Sequence, residues 1–149
     1  MTPFTPLTLD QFLAKWNANY CNVIPGYPGQ CTNVAEAYNQ EVVDGVPLEF
    51  HGNAVDFWNN FNHTKYYQIP NEPTNFPSAG DIVVWSVALD PYGHVAIALP
   101  GATEEGFESF DQNWPIGSVC HNQNHGYVNA QGKVDVLGWL RPKNPIQVN

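Results

Sequence analysis

Asp81-Ile82-Val83-Val84-Trp85-Ser86, then a turn at Asp90-Pro91-Tyr92-Gly93, then His94-Val95-Ala96-Ile97-Ala98-Leu99: these residues decide how the chain folds. Both runs are short, apolar and bounded by turn formers, and the first is rich in β-branched side chains, which predicts two strands. Two further strands are expected at Gly106–Trp114 and Val134–Arg141. Upstream the pattern changes to helical spacing. Phe12, Leu13 and Trp16 make an apolar stripe that starts behind Thr8, a capping residue. Val34, Ala35, Tyr38 and Val42 give one buried face to a helix from Gln30 or Cys31 to Val43, ended by Gly45 and Pro47. A shorter helix is expected at Asn53–Phe61, followed by a connection containing Pro70, Pro73 and Pro77. Helices first and strands afterwards predict an α+β fold with a mostly antiparallel sheet. No repeat or linker divides residues 1–149, so one domain is expected, with its core at about 9–142 and an irregular tail from Pro142 to Asn149.

The chain has 149 residues, 43% of them hydrophobic and 13% aromatic, enough for a packed core rather than disorder. Its net charge is −9, from 14 acidic and 5 basic residues. A nucleic-acid partner requires a basic face and an anionic membrane would repel this charge, so neither is expected. Only 13% of residues are charged, and the abundance of neutral hydrogen-bonding groups suits an uncharged polar ligand such as a glycan or peptide. Met1 to Leu9 lacks a signal-peptide pattern, and no run approaches the roughly 18 apolar residues of a membrane span.

Three cysteines, Cys21, Cys31 and Cys120, leave at least one free thiol. A Cys21–Cys120 bridge would require an oxidising compartment. Cys31 has the most informative surroundings: Gly29-Gln30-Cys31-Thr32-Asn33 carries a thiol from a Gly/Pro-rich turn into a helix start. A thiol attacks a carbonyl as thiolate, and helix-start N–H groups together with an imidazolium favour that form. His94 would be the base and then the acid. Along a regular strand Phe107, Ser109, Asp111 and Asn113 share a face, so Asp111 and Asn113 can both turn toward His94 and fix its tautomer. The Cys31 N–H, with Gln30 beside it, would hold an oxyanion. His94, Ala96 and Ala98 share the other strand's face, and the small alanines are expected to let the Cys31 helix approach there.

These motifs resemble the CHAP domain, the cysteine/histidine-dependent amidohydrolase/peptidase family. The similarity is carried by Gly29-Gln30-Cys31, by Pro77-Ser78-Ala79-Gly80-Asp81-Ile82-Val83-Val84-Trp85, by Tyr92-Gly93-His94-Val95-Ala96-Ile97, and by Asp111-Gln112-Asn113-Trp114. Gly52-Asn53-Ala54 and Gly138-Trp139-Leu140-Arg141-Pro142 also fit. The resemblance implies a papain-like fold and cleavage of a peptidoglycan amide bond. By position it implies Cys31 as nucleophile, His94 as base and acid, Asp111 as the orienting acid and Asn113 as the polar helper. Asp111 stands where the family usually has Glu, one methylene longer. Some phage members carry an Asp-rich calcium loop before the nucleophile; here Asn17-Ala18-Asn19-Tyr20-Cys21-Asn22 has no carboxylate, so calcium is not expected.

The resemblance further implies a phage lysin made in the host cytosol and reaching the wall through a holin pore, with a tail-associated lysin or a bacterial wall hydrolase as the other settings. A monomer is expected, and since the acidic charge gives no attraction to an anionic wall, targeting is expected from a wall-binding domain elsewhere or from neutral Tyr, Trp and Asn contacts. A non-catalytic wall- or glycan-binding module and a thiol peptidase acting on proteins are the alternatives. His121 and His125 stand four apart beside Cys120, but the Asn-rich run ending at Gly126 is not helical. A solvent-exposed loop is expected there, or one at the rim of the groove, with no metal site and no cofactor. Trp85 and Trp139 are expected in the core or cleft wall, and Trp114 beside the site, where it could stack on substrate.

Overall fold

The structure, a computed structural model, describes residues 3–48, 52–86, 91–128 and 135–149. Three short helices precede a six-stranded sheet in which every neighbouring pair is antiparallel, an α+β architecture. Helix α1 spans Leu9–Trp16. Its start is a reciprocal cap: Thr8 Oγ1 accepts from the Gln11 N–H at 3.1 Å, and the Thr8 N–H donates to Gln11 Oε1 at 2.9 Å. Helix α2 spans Thr32–Tyr38 with Cys31 as its N-cap residue and continues as a π-helical turn over Asn39–Val43. Helix α3 is one turn, Asp56–Asn59, shorter than the expected Asn53–Phe61.

The strands are β1 (Tyr66–Pro70), β2 (Ile82–Trp85), β3 (His94–Ala98), β4 (Phe107–Asp111), β5 (His121–His125) and β6 (Val136–Pro142), in the spatial order β1-β6-β2-β3-β4-β5. The two strands read first from the sequence are central, and every residue of β2 and β3 is buried. One sheet face packs Ile82, Val84, Val95, Ile97, Phe110 and Leu140 against Val34, Ala35 and Tyr38 of α2 and Leu9 and Phe12 of α1. The other gathers Val83, Trp85, Ala96, Ala98, Phe107 and Trp139 into a second cluster.

This division corrects the expected route of the helix. Helix α2 lies on the branched Val95/Ile97 face, not on the alanines, because the larger side chains fill the space between sheet and helix. Ala96 and Ala98 instead make room for Trp85 and Trp139 on the opposite face.

Two strands, β1 and β5, are not among those expected from the sequence, and both are sheet edges. The segment expected to be a loop, His121–His125, pairs with β4 throughout, from Asp111↔His121 to Phe107↔His125. The expected strand Gly106–Trp114 ends at Asp111, since Asn113 has φ +67° and turns the chain. Asp90 of the expected turn and Val134 at the start of the last expected strand lie outside the described residues. The tail beyond Pro142 has no regular structure but is docked. Gln147 and Val148 carbonyls accept from the Leu9 and Asp10 N–H groups at 2.8 and 2.9 Å. No helix among the described residues is long and apolar enough to cross a membrane.

Candidate active site

His94 opens β3 directly after Gly93, whose φ is +73°. A Cβ at residue 93 would lie 2.6 Å from the Trp85 carbonyl oxygen, so the close approach that launches His94 requires glycine. The ring is buried, 4.9 Å from Trp85 and 4.7 Å from Trp114 between centroids. Its Nε2 is 2.6 Å from Asp111 Oδ2, and the Cys31 side chain interacts with the same ring. With Nε2 engaged by the carboxylate, Nδ1 is the nitrogen left for the thiol.

Cys31 is 8% exposed at the head of α2 and borders an open groove of about 510 Å³. Gln30, His94, Asn113 and Trp114 line the same groove, whose rim carries the exposed side chains Tyr27, Tyr92 and Ile116. Trp114 therefore faces groove and imidazole together. No Lys, Arg, Asp or Glu is among the described residues that line it.

Burial opposes a charge on His94, but the bonds to Asp111 and Cys31 override it and raise the ring to about 9. Burial likewise opposes ionisation of Asp111, yet its hydrogen bonds from His125 and His94 bring it down to about 2. The arrangement is a fully buried carboxylate, an imidazole on its oxygen, and a thiol on the far side of that imidazole at a groove wall. Such a line can move a proton from sulfur to ring and back.

Asn113 is placed differently from the expectation of shared strand parity. It lies beyond β4, and its Oδ1 accepts from the Gly117 N–H at 2.7 Å within the turn that follows. It borders the groove with His94, but its amide oxygen is spent on the backbone. Gln30 contributes its side of the groove, while its carbonyl faces inward and accepts from Gln112 Nε2 at 2.8 Å.

Two residues outside the expected catalytic set, Gln112 and His125, are built into the site. Gln112 is completely buried. Besides Gln30, its Nε2 donates to the Cys21 carbonyl at 3.0 Å and its Oε1 accepts from the Cys21 N–H at 2.6 Å. It thereby ties the loop ahead of Cys31 to the end of β4. His125, considered only as a zinc ligand or rim residue, reaches Asp111 Oδ2 at 3.2 Å. The signal that could have found it is the even spacing His121/Gln123/His125 on a strand, had the strand been recognised.

Around the Cys120, His121 and His125 spacing the side chains diverge. Cys120 Sγ lies 3.4 Å from Gln112 Oε1, His121 Nδ1 lies 2.8 Å from the Val119 carbonyl, and His125 is on Asp111. Cys21 and Cys120 are buried free thiols. Burial pushes Cys120 up to about 11 and Cys21 still higher, which disfavours either as a thiolate.

The CHAP domain model matches residues 22–106, a span that includes Cys31 and His94 and stops five residues short of Asp111. The chain is 34% identical over 120 residues to endolysin PlyTW of Staphylococcus phage Twort, a match that covers 78% of this chain and 25% of that protein. The chain thus spans about a quarter of the length of that curated relative. Among solved structures it is similar to the wild-type endolysin LysIME-EF1, with a TM-score of 0.71 at 22% identity over 91% of this chain and 64% of that one. It is also similar to Ly7917, with a TM-score of 0.64 at 16% identity over 90% and 60% of the two chains. These two structural likenesses speak to the fold.

Proposed function

The chain belongs to the CHAP domain family, and from that premise we propose that it hydrolyses an amide bond of bacterial peptidoglycan, with Cys31 as nucleophile and His94 as general base and acid. The observation that carries this reading is the continuous line Cys31–His94–Asp111 at the groove wall, with 2.6 Å between His94 Nε2 and Asp111 Oδ2. The likeness to a phage endolysin supports the substrate.

In the proposed cycle, Nδ1 of His94 takes the Cys31 proton, giving a thiolate–imidazolium pair stabilised by the anionic Asp111. The thiolate attacks the scissile carbonyl, and the oxyanion that forms is met by the Cys31 N–H with Gln30 alongside. Collapse breaks the C–N bond, and His94 passes its proton to the leaving amine. Water, deprotonated by His94, then attacks the thioester carbonyl and releases the acid and the free thiol. Asp111 remains ionised throughout and orients the ring; Asn113 lies at the groove edge, and Trp114 covers the imidazole and faces substrate. The scissile bond is the muramoyl–L-alanine amide or a peptide bond of the stem or cross-bridge.

Replacing Cys31→Ala is expected to reduce release of soluble wall fragments by about 10⁴-fold or more, with wall binding retained. Clearing of wall suspensions that survives this change would overturn the mechanism. Mass spectrometry of the digested wall identifies the bond from the new amine and carboxyl termini.

The setting proposed is a phage lysin that acts on the wall, with residues 9–142 as its catalytic unit. The charge of −9 gives no long-range attraction to an anionic wall. Targeting is therefore assigned to a separate wall-binding module or to neutral contacts such as Tyr27 and Tyr92 at the groove rim. Pull-down on purified walls tests this: tight binding by the 149 residues that salt abolishes would contradict it.

A further inference from the structure

Asp111 serves two imidazoles. Nε2 of His94 at 2.6 Å and Nε2 of His125 at 3.2 Å both meet the same oxygen, Oδ2, while Ser109 Oγ donates to Oδ1. The carboxylate is completely buried and the His125 side chain is 8% exposed. An ionised carboxylate only accepts, so each ring must present an N–H at Nε2. That requirement leaves the lone pair of neutral His94 on Nδ1, the side of the thiol. His125 donates the same N–H whether its ring is neutral or cationic.

A terminal carboxylate turns about a broad, two-fold torsion. With one partner it would have latitude; with three it is fixed. The rings are fixed as well. Trp85 lies 4.9 Å from each imidazole, Trp114 lies 4.7 Å from His94 and 5.8 Å from His125, and Phe107 lies 5.5 Å from His125. His125 is not a wall of the Cys31 groove among the described residues; it borders a separate shallow depression with Glu105 and Glu108.

We propose that His125 is a positioning residue for the reaction: with Ser109 it holds the Asp111 carboxylate so that Oδ2 stays on Nε2 of His94 and Nδ1 stays on Cys31. This rests on the Cys31–His94 mechanism above, and His125 acts on it only through Asp111. The ionisable groups that face the two rings are few. Cys31 at the head of α2 and Asp111 on β4 act on His94; Asp111 and Asp135, just ahead of β6, act on His125. Glu105 and Glu108 border the depression beside His125.

The test compares His125→Leu, which removes the donor, with His125→Gln, whose amide nitrogen reaches about as far as the imidazole Nε2. In the intact chain, His125→Leu is expected to lower kcat about ten- to thirty-fold with KM nearly unchanged, and His125→Gln to stay within about threefold of the parent. NMR titration of the His94 ring, in chains that also carry Cys31→Ala, should move down by about one pH unit with Leu and stay near the parent value with Gln. An unmoved His94 titration in the Leu chain, or equal losses with Leu and Gln, would overturn the proposal. If the Leu chain does not fold, His125→Asn replaces it. The shorter amide falls short of Oδ2, so Gln must outperform Asn, and equal values refute the role. The titration needs no activity. A His94 shift in a chain whose parent does not cleave walls would sink the hydrolase reading and leave the positioning of Asp111 standing.

Discussion

Asp81 and Asp111 are both buried at this sheet, and their partners make them different chemical objects. Asp81, ahead of β2, accepts from Arg141 Nε at 3.1 Å and from an Arg141 terminal nitrogen at 2.8 Å, and Ser78 closes the cluster through its N–H at 2.7 Å. Burial still pushes its carboxyl above the ordinary range, against the pull of Arg141 and the Ser78 N–H. Asp111, at the end of β4, faces two imidazoles and a hydroxyl and is held down at about 2. A guanidinium never releases its proton, so the Asp81 pair can only hold elements together. An imidazole can release one, so the Asp111 cluster can serve a reaction. Burial alone does not distinguish structure from chemistry here; the partner does.

Substituting each acid should separate the two most sharply. Asp111→Asn is expected to cost about 10²–10⁴-fold in kcat with the fold intact, because the amide no longer favours the imidazolium. Asp81→Asn should leave kcat within a few-fold of the parent. Equal catalytic losses, measured on soluble wall fragments, would erase the contrast.

Next in size is Arg141→Ala. It strands the Asp81 carboxylate in the interior and should cost about 2–3 kcal/mol in denaturant unfolding, less than a fully buried pair because Arg141 is itself 38% exposed. Activity per folded molecule should hold.

The pH profile is the finest of these tests. His94 is raised to about 9 from 6.5, so its stabilising contribution is complete below 6.5 and lost as pH rises through 9. Asp111 is lowered to about 2 from 3.8, so its contribution is complete above 3.8 and lost as pH falls through 2. Asp81 runs the other way: its raised carboxyl favours the fold when protonated, and that favour fades as pH rises through its shifted value. The site therefore contributes most between pH 3.8 and 6.5, and the activity limb attributed to His94 should fall near pH 9. Asp111→Asn should flatten both stability limbs, as followed by thermal unfolding across pH; Asp81→Asn should leave them in place.

What could be read from the sequence follows the same physical lines. β2 and β3 announced themselves because strands buried on both faces must be apolar throughout. β5 contains only His, Asn and Gln, and its strand state comes from pairing with β4 rather than from its own pattern. His125 was obscured for that reason: its partner is visible only once the edge strand is in register. Parity correctly set Asp111 apart from Phe110, which faces the helices. Parity failed for Asn113 because the strand stops two residues earlier and the chain enters a left-handed turn. The Ala96/Ala98 face of β3 is the small one, but the fold is set by the Val95/Ile97 face, which is large enough to fill the gap to α2.

Gln112 gives the site one more property. It follows Asp111 directly, and while the acid faces the imidazoles, the amide reaches the opposite way to grip both the Cys21 backbone and the Gln30 carbonyl. Two consecutive side chains on one stretch of backbone thus hold the acid end and the thiol end of the same proton path. The distance between them is then set by one buried side chain and its hydrogen bonds to the Cys21 and Gln30 backbone. Replacing Gln112 would therefore loosen the thiol end of the path without touching any of its reacting groups.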